Sequence, residues 1–174
     1  MSARQRPSHA APAIKVRLAQ PEDREAIIDL IWQLNRYESP ISGDRPTDRD
    51  TARRCLRDNE DAARNTLGLS IVAVDDNAPE KGIVGYLCLA IESIGSFVRE
   101  DVRRVAYVRE LIVDESCRRA GVGKRLMEEA ERFARSRHLK RLMLGVLAGN
   151  AKGRAFYEDF GMGAYAIEMV KPLD

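Results

Sequence analysis

A short basic segment that carries two glycines has the clearest chemical meaning in this sequence. It runs from Arg118 to Lys124 as Arg-Arg-Ala-Gly-Val-Gly-Lys, after an apolar run of strand type and before a helical pattern. The start of a helix offers free N–H groups and the positive end of the helix dipole, and both favour a pyrophosphate. The segment therefore predicts a binding site for a phosphorylated ligand.

The residue types within this segment suggest separate tasks. Gly121 and Gly123 let the backbone approach the phosphate oxygens closely, while Arg118, Arg119 and Lys124 supply positive charge from the rim. The alternative is that these cations are solvated surface charges. Cations at the positive end of a helix dipole are mildly unfavourable by themselves, and a bound anion would remove that conflict.

Two common phosphate loops do not fit the segment. A nucleoside triphosphate loop needs glycine five residues before Gly123 and Ser or Thr after Lys124, where this chain has Arg118 and Arg125. A dinucleotide-binding fingerprint needs glycine three residues after Gly123, where this chain has Leu126. The ligand is therefore held by a loop of another kind.

The segment resembles the signature of the GNAT superfamily of acyl-coenzyme A dependent N-acetyltransferases, which is Arg or Gln, two residues, Gly, one residue, then Gly or Ala. Arg118, Gly121 and Gly123 match it. The resemblance is close over residues 105–170 and covers the first half only by the order and length of the elements. One position departs, because Gly153 stands where the family usually has alanine. We expect weaker helix propensity there and no loss of function.

Two flanking motifs make the resemblance specific. The run 110–114 resembles the central strand of the family, and Asn150, Phe156, Tyr157 and Gly161 follow at the expected spacing. The resemblance implies acetyl-coenzyme A as co-substrate. It also implies that the central strand separates from the next strand, so that the pantetheine arm can bind along the freed edge in the way an added β-strand does. The implied cofactor-binding residues are Leu111, Ile112, Val113, Arg118, Arg119, Ala120, Gly121, Val122, Gly123, Lys124 and Asn150.

Acetyl transfer needs an uncharged amine, donors for the developing oxyanion and an acid for the departing thiolate. Tyr157 is the implied acid, because a phenol with a pKa of ~10 is protonated at neutral pH, and its alternative role is packing beside Phe156. Glu110 is the first candidate for the base, with structural pairing to Arg109 or Arg104 as an equal alternative.

Tyr107 is the second candidate for the base, and water is a third acceptor for the proton. Strict alternation places Tyr107 on the face of the strand opposite Glu110, and a bulge would change which of them points inward. Cys117 has no neighbouring histidine and is interpreted as packed rather than nucleophilic. The expected route is therefore direct attack of the amine in a ternary complex.

The elements that must position these residues alternate between strands and helices. The order indicates an α/β fold, and the resemblance implies a mixed, mostly antiparallel central sheet with splayed central strands and helices on both faces. The second helix has few apolar positions, so we expect it to be peripheral and mobile. The predicted strands are 15–19, 69–74, 83–91, 105–113, 141–147 and 164–170, and the predicted helices are 21–37, 47–65, one beginning at 122, and 150–160.

Composition sets wider limits. The 174 residues suit a disordered leader at 1–14 and one N-acetyltransferase domain at 15–174, with a cytoplasmic location as the default. A net charge of +2 argues against nucleic acid as a partner, and the lack of a long apolar run argues against a membrane span. Three widely spaced cysteines and two histidines predict neither a disulfide framework nor a metal site.

The acceptor is the least determined part of the sequence reading. A small-molecule amine is the preferred class, a protein N-terminus or lysine is the alternative, and a non-catalytic module that senses acyl-coenzyme A is the alternative outside enzymes. Glu38, Asp44 and Asp48 would attract a cationic acceptor, whereas Trp32 and Tyr37 are interpreted as core or rim. Pairing of two copies through the last strand, which would make a homodimer, is compatible with the sequence but not shown by it.

Overall fold

The computed structural model describes residues 13–77 and 82–173. One sheet holds five strands in the order β1-β2-β3-β4-β5. Neighbouring strands from β1 to β4 are antiparallel, and β5 is parallel to β4, so the sheet is mixed and mostly antiparallel as expected. The strands are β1 Ile14–Leu18, β2 Leu69–Asp75, β3 Ile83–Ser93, β4 Arg104–Val113 and β5 Leu142–Leu144. Most of the leader predicted at 1–14 lies outside the described residues, and Ile14 already belongs to β1.

Helices cover both faces of the sheet. The side chains of α1 and α2 form a core with one face, and those of α4 form a core with the other, where α5 packs as well. This arrangement confirms the predicted α/β architecture. A 3-10 turn at Pro21–Asp23 leads into α1, and another at Glu115–Cys117 follows β4. The helices are α1 Arg24–Ser42, α2 Arg49–Thr66, α3 Glu100–Arg103, α4 Val122–Ser136 and α5 Ala151–Asp159.

Helix α1 is longer than the sequence predicts. An end near Tyr37 was expected from the proline at position 40, but α1 continues through Pro40. The loss of one N–H near the end of the helix is tolerated, because Gly43 adopts the left-handed conformation (φ 77°) and donates its N–H to the Ser39 carbonyl at 2.9 Å. Glu38 therefore lies on a helix rather than in a loop.

Helix α2 belongs to the core, and the prediction that it is peripheral was wrong. Ala52, Leu56 and Ala63 are buried and recur at helical spacing on one face. This face packs in the same apolar cluster as Ile31 of α1 and Tyr86 of β3. The three residues are enough to fasten an otherwise charged helix to the sheet.

A bulge interrupts the pairing of β3 with β4. Cys88 lies opposite Glu110, but the next residue of β3, Leu89, lies opposite Val108. Arg109 is therefore an extra residue on β4. A bulge shifts the alternation of side chains by one position, so residues on either side of it exchange faces relative to strict alternation.

The parallel pairing of β4 with β5 is short. It joins 106–108 to 142–144 and then stops, because the chain leaves the sheet after Leu144. The strand predicted at 141–147 is thus reduced to three residues. Beyond Val108, the edge of β4 that faces β5 has no neighbouring strand in the described parts of the chain, which is the splay that the resemblance implied.

The prediction of a final strand at 164–170 was wrong. The structure shows neither strand nor helix over 162–173. Tyr165, Ile167 and Met169 do have the period of a strand, but they are exposed. A strand requires a neighbouring strand for its backbone hydrogen bonds. The alternation of apolar and polar residues in the sequence does not reveal whether the fold supplies that neighbour.

None of the described helices combines the length and the apolar character that crossing a membrane requires.

Candidate active site

A pocket of about 170 Å³ opens where β4 and β5 separate. Helix α1 contributes Glu38, β4 contributes Glu110, the N-cap of α5 is Asn150, and the last turn of α5 contributes Tyr157. The bulge and the splay thus bring together the two predicted catalytic residues and two predicted cofactor residues, Leu111 and Asn150. A larger depression of about 330 Å³ lies between β1, β2 and α4, but its lining is mostly apolar and includes no candidate residue.

Glu110 occupies the inner wall of this pocket. Its Oε2 accepts a hydrogen bond of 3.0 Å from Asn59 Nδ2. Although part of the residue surface reaches the pocket, desolvation by burial raises the pKa of Glu110 to about 7. The hydrogen bond from Asn59 lowers this pKa and the negative charge of Glu38 raises it, but burial dominates. A carboxylate with this pKa can accept a proton near neutral pH.

Asn59 is held in place by its own partners. The residue is only 4% exposed, and its Oδ1 accepts a hydrogen bond of 3.3 Å from Arg109 Nε. Arg109 in turn pairs with Glu92 at 2.9 Å. Among the described residues Glu110 has no ion pair, so the alternative of direct pairing with Arg109 or Arg104 was wrong. The arginine acts on Glu110 through the amide of Asn59.

Tyr157 faces the same pocket from α5. Burial, followed by the charges of Glu38 and Glu110, raises its pKa to about 12. Its ring contacts Phe156 with a centroid distance of 5.2 Å, and within the described chain its hydroxyl has no hydrogen-bond partner. The ring therefore packs beside Phe156, which was the alternative role predicted for Tyr157. The hydroxyl remains protonated and free to donate a proton.

Tyr107 lies on the same face of β4 as Glu110, because of the bulge. Val108 and Leu111 both pack on the α4 side of the sheet, one before and one after the bulge, which leaves Tyr107 and Glu110 on the other side. Burial raises the pKa of Tyr107, and its hydroxyl lies next to Gly145. Tyr107 is not among the residues that line the pocket, so Glu110 is the better placed candidate base.

The predicted phosphate loop has a backbone shaped for an anion. Arg119 (φ 64°) and Gly121 (φ 82°) are both left-handed, and Gly121 is the residue before α4. No side chain caps this helix start, and its first turn contains no acidic residue. The free N–H groups of the first turn and the neighbouring cations therefore remain available to a phosphate. These features fit the group that the sequence implied.

Gly123 has a packing role that the sequence did not reveal. A Cβ atom at this position would lie 3.2 Å from Phe156 Cζ and 3.5 Å from Val113 Cγ2. The missing side chain thus lets α5 pack against the start of α4 and the end of β4. A Cβ at Gly121 would meet nothing within 4 Å, so glycine is needed there for its backbone conformation.

Tyr37 connects the two sides of the splay. Its hydroxyl donates a hydrogen bond of 3.2 Å to Asn150 Oδ1, and the guanidinium carbon of Arg118 lies 5.1 Å from its ring centroid. The interpretation of Tyr37 as core or rim missed these contacts with two predicted cofactor residues. Trp32 is a rim residue, with its Nε1 donating to the Thr47 carbonyl at 2.7 Å.

Asn150 is the N-cap of α5, where its Oδ1 accepts a hydrogen bond of 2.9 Å from the Gly153 N–H. A Cβ at Gly153 would lie 2.7 Å from Asn150 Nδ2. Alanine at position 153 would therefore displace the buried Asn150 side chain. The expectation that Gly153 causes no loss of function stays a prediction, and the geometry adds that glycine leaves room for the Asn150 side chain.

Of the three acidic residues proposed to attract a cation, only Glu38 lines the pocket. Burial raises its pKa, and it pairs with Arg45 at 3.3 Å. Asp48 instead caps α2 by accepting a hydrogen bond of 2.7 Å from the Thr51 N–H. Asp44 is exposed and does not line the pocket.

Sequence reasoning missed three further residues near Glu110. Asn35 is 6% exposed, lines the pocket and has no partner for its Nδ2 in the described structure. Asn59 and Cys55 lie on α2. Asn35 follows Ile31 by four residues and Asn59 follows Leu56 by three, so each is a polar residue at a position where the helical pattern requires an apolar one. That mismatch was the available signal.

The described cysteines are free and do not form a nucleophilic site. Cys117 is buried in the α4-side core, as interpreted from the sequence, and Cys88 is buried in the other core. Cys55 reaches the pocket, but burial and the charges of Glu110 and Asp58 raise its pKa. Over residues 13–77 and 82–173, no three or more His, Cys, Asp and Glu side chains are grouped to hold a metal ion.

Comparisons with known proteins agree with this geometry. The family model described as the acetyltransferase (GNAT) family matches residues 25–162. A mutant of the BH1408 protein from Bacillus halodurans has a similar structure, with a TM-score of 0.73, 22% identity and coverage of 91% of this chain and 99% of the other. A search of curated protein sequences found no match.

Two named acetyltransferases also have this fold. An acetyltransferase of Trypanosoma brucei has a TM-score of 0.64 and 23% identity, covering 92% of this chain and 99% of its own. Glucosamine-6-phosphate N-acetyltransferase from Arabidopsis thaliana has a TM-score of 0.64 and 20% identity, covering 93% and 99%.

Proposed function

Because the chain belongs to the acetyltransferase (GNAT) family, we propose that it transfers the acetyl group of acetyl-coenzyme A to a primary amine, and that the acceptor is a small molecule. The observation that carries this proposal is the position of Glu110 and Tyr157. Both line one pocket at the point where β4 separates from β5, and Glu110 contributes to the raised pKa of Tyr157.

The cofactor would lie along the splay and the start of α4. Acetyl-coenzyme A supplies an acetyl group activated as a thioester. The uncapped N–H groups after Gly121, with Arg118, Arg119 and Lys124 at the rim, would hold its phosphates. Leu111, Ile112 and Val113 pair with β3 on one side of β4. The other edge of β4, which no described strand covers at these residues, would hold the pantetheine arm beside Asn150. Ala120 and Val122 complete the loop.

Glu110 would accept the proton of the acceptor ammonium, directly or through one water. Its pKa of about 7 makes it a stronger base than an ordinary carboxylate, and it is still ionised in about half of the molecules at neutral pH. Asn59 keeps the carboxylate in place from behind the pocket. The neutral amine that results is then able to attack.

Tyr157 would donate its proton to the departing thiolate. Its raised pKa keeps the hydroxyl protonated at neutral pH, and the absence of a competing hydrogen bond among the described residues leaves the proton available. General acid catalysis of this kind contributes typically about a hundredfold or more to the rate.

The pocket favours a small acceptor. Its volume of about 170 Å³ suits an amine with a short arm, and α1 lines it with the carboxylate of Glu38 and the unpartnered N–H donor of Asn35. A lysine side chain or a protein N-terminus could enter the same pocket, so protein acetylation is the alternative acceptor class. A sensing module would bind the cofactor without turning it over.

The test begins with binding of acetyl-coenzyme A by calorimetry, followed by thiol release with a panel of amines. The panel should contain polyamines, amino acids, aminoglycosides and peptides with a free N-terminus or lysine. Release with small amines and not with peptides would support the proposal. Release with peptides alone would assign the alternative acceptor class, and no binding would contradict the cofactor proposal.

The sensor alternative is tested by Tyr157→Phe. We expect kcat to fall about a hundredfold while the Kd for acetyl-coenzyme A changes less than about threefold. Tyr165→Phe removes a hydroxyl from an exposed ring and is the matched control. Equal turnover by Tyr157→Phe and the control would contradict the proposed acid.

A further inference from the structure

Tyr37 on α1 is a half-buried aromatic residue that belongs to neither apolar core. The buried α1 residues of the core on that side of the sheet come from the first half of the helix, between Ile27 and Ile31. The hydrogen bond and the ring contact of Tyr37 are instead both made with predicted cofactor residues, Asn150 and Arg118. Core packing therefore does not explain why a tyrosine stands at this position.

The hydroxyl of Tyr37 fixes the side chain of Asn150. Asn150 Oδ1 accepts a hydrogen bond of 3.2 Å from this hydroxyl and another of 2.9 Å from the Gly153 N–H. Because a backbone N–H can only donate, these bonds determine which end of the amide carries the oxygen. Asn150 is 8% exposed and lines the pocket. Its Nδ2 donates no hydrogen bond within 13–77 and 82–173, yet this atom is not sealed from solvent. The two N–H groups of the amide are therefore left for a ligand.

The ring of Tyr37 orders Arg118. The guanidinium carbon lies 5.1 Å from the ring centroid, within the ~6 Å range of a cation–π contact. Arg118 is exposed, and apart from this contact its Nε donates a long hydrogen bond of 3.5 Å to the Val113 carbonyl. A freely moving arginine loses rotamer freedom when it binds a phosphate, and an arginine already held on a ring loses less. The ring therefore prepares Arg118 for an anion.

Helix α1 is fixed at this place by contacts on both sides of the splay. On the β4 side, Gln33 Nε2 donates a hydrogen bond of 3.2 Å to Asp114 Oδ2. On the α5 side, a Cβ at Gly149 would lie 2.8 Å from Ile41 Cγ2, so the glycine permits a close approach. Tyr37 lies about one helical turn from Gln33 and one from Ile41. Its ring and hydroxyl are thus held at defined positions relative to both sides.

We propose that Tyr37 is a positioning residue for both halves of acetyl-coenzyme A. Its hydroxyl directs the N–H groups of Asn150 toward the acyl-pantetheine arm, and its ring holds Arg118 for the pyrophosphate. This inference rests on the proposed function, because both partners of Tyr37 are assigned to that cofactor. It adds a residue of α1 to a cofactor site that otherwise consists of β4, the phosphate loop and α5.

The two contacts predict two separable losses, measured by calorimetry with acetyl-coenzyme A. Tyr37→Phe removes the hydroxyl and keeps the ring, so the Kd should rise about fivefold, as for the loss of one ordinary hydrogen bond. Tyr37→Leu also removes the ring and should raise the Kd by about a further two- to fivefold. Phe133→Leu is the matched control, because the Arg137 guanidinium carbon lies 5.2 Å from that ring on α4, away from the pocket. Its Kd should equal that of the native protein.

A double-mutant cycle tests whether the hydroxyl acts through Asn150. Asn150→Ser keeps a good N-cap for α5 but removes the amide. In this background Tyr37→Phe should leave the Kd for acetyl-coenzyme A unchanged, whereas in an Arg118→Ala background it should still raise the Kd about fivefold. A fivefold effect in both backgrounds would mean that Tyr37 acts through the fold alone and would overturn the proposal.

Fragments of the cofactor assign each loss to one half of the site. Acetyl-pantetheine keeps the arm without the pyrophosphate, and 3′-phospho-ADP keeps the pyrophosphate without the arm. Tyr37→Phe should weaken binding of acetyl-pantetheine alone, whereas Tyr37→Leu should weaken binding of both fragments. Equal losses for both fragments in Tyr37→Phe would contradict the separate roles of hydroxyl and ring.

The native protein separates this inference from the proposed function. A native protein that does not bind acetyl-coenzyme A would contradict the proposed function and the inference with it. A native protein that binds it with the same Kd as Tyr37→Phe would overturn the inference alone. Circular dichroism and urea unfolding check that each variant is folded. Should Tyr37→Leu fail to fold, the cycle with Tyr37→Phe decides the proposal.

Discussion

The Asn59 amide donates a hydrogen bond of 3.0 Å to Glu110 from behind the pocket. Asn59 is on α2 and Glu110 is on β4, so the helix that packs on one face of the sheet positions the carboxylate of the central strand. This hydrogen bond also lowers the pKa of Glu110, against the stronger effect of burial. Asn59 is thus a positioning residue that sets both the direction and the basicity of the proposed base.

Asn59→Ala should move the pH dependence of the reaction. Without this hydrogen bond the pKa of Glu110 rises further, and a hydrogen bond to a charged group worth about 1.5 kcal/mol corresponds to about one pH unit. The acid limb of kcat/KM should therefore shift to higher pH by about that amount. The measurement is a pH profile with the best acceptor from the panel.

Gln33→Ala is the matched control for that experiment. Gln33 Nε2 donates to Asp114 Oδ2 at 3.2 Å, which is the same amide–carboxylate bond away from the pocket. The acid limb of the kcat/KM pH profile should stay at the same pH in Gln33→Ala as in the native protein. An unchanged profile for Asn59→Ala would mean that Asn59 only supports the fold.

Glu110→Gln should stabilise the protein at high pH. The folded-state pKa of Glu110, about 7, is above its ordinary value of 4.5, so the native state favours the protonated acid. The contribution of Glu110 to stability is therefore fully present below pH 4.5 and is lost as the pH rises through 7. Glutamine avoids this loss, and the variant should gain about 3 kcal/mol at pH 8.

Urea unfolding of both proteins at pH 4.5 and pH 8 measures this gain. The difference between the variant and the native protein should be close to zero at pH 4.5. Glu115→Gln, at an exposed position, should show no such pH dependence. A gain of the same size at both pH values would contradict the assigned pKa, whatever the effect on turnover.

Gly121→Ala should lower the affinity for acetyl-coenzyme A, whereas a substitution that causes the same loss of folding stability elsewhere should not. The left-handed conformation of Gly121 costs a side-chain-bearing residue about 1–2 kcal/mol, although no atom blocks the Cβ. Gly43 has a similar φ (77°) and equally open space, so Gly43→Ala should lose similar stability. Calorimetry should show about tenfold weaker acetyl-coenzyme A binding for Gly121→Ala alone. Equal affinities would place the phosphates elsewhere.

The effect of Gly153→Ala on stability should depend on the residue at position 150. In the native background the new Cβ displaces the Asn150 side chain, and loss of this cap costs about 1 kcal/mol, which offsets the gain in helix propensity. In an Asn150→Ala background the same change should stabilise by about 0.5–1 kcal/mol. Urea unfolding of the four proteins gives the coupling. Simple additivity would show that Asn150 does not constrain position 153.

The sequence predicted the elements whose signals are local. The start of α2 is local to Asp48, whose side chain caps the helix, and the Gly121 turn follows from the glycine spacing. The family resemblance implied that β4 separates from β5. In the structure, the backbone pairing between these two strands ends at Val108. The structure brings Glu110 and Tyr157 to one pocket, and their catalytic roles stay predictions.

The remaining features depend on contacts that are distant in sequence. Asn59 is 51 residues from Glu110, and no local pattern connects them. The bulge at Arg109 depends on the register against β3, so strict alternation put Tyr107 on the wrong face. The sequence prediction ended α1 too early, because Pro40 was expected to stop the helix. The C-cap at Gly43 allows the helix to continue through that proline.

The open seam between β4 and β5 makes the stability of this protein a function of its ligand. A ligand that fills the seam binds the native state and not the unfolded chain, so at a hundred times its Kd it adds about 2.7 kcal/mol to the free energy of unfolding. The protein is therefore most vulnerable to unfolding and proteolysis when the ligand is scarce. Under the proposed function, its abundance in a cell would follow the supply of acyl-coenzyme A by mass action.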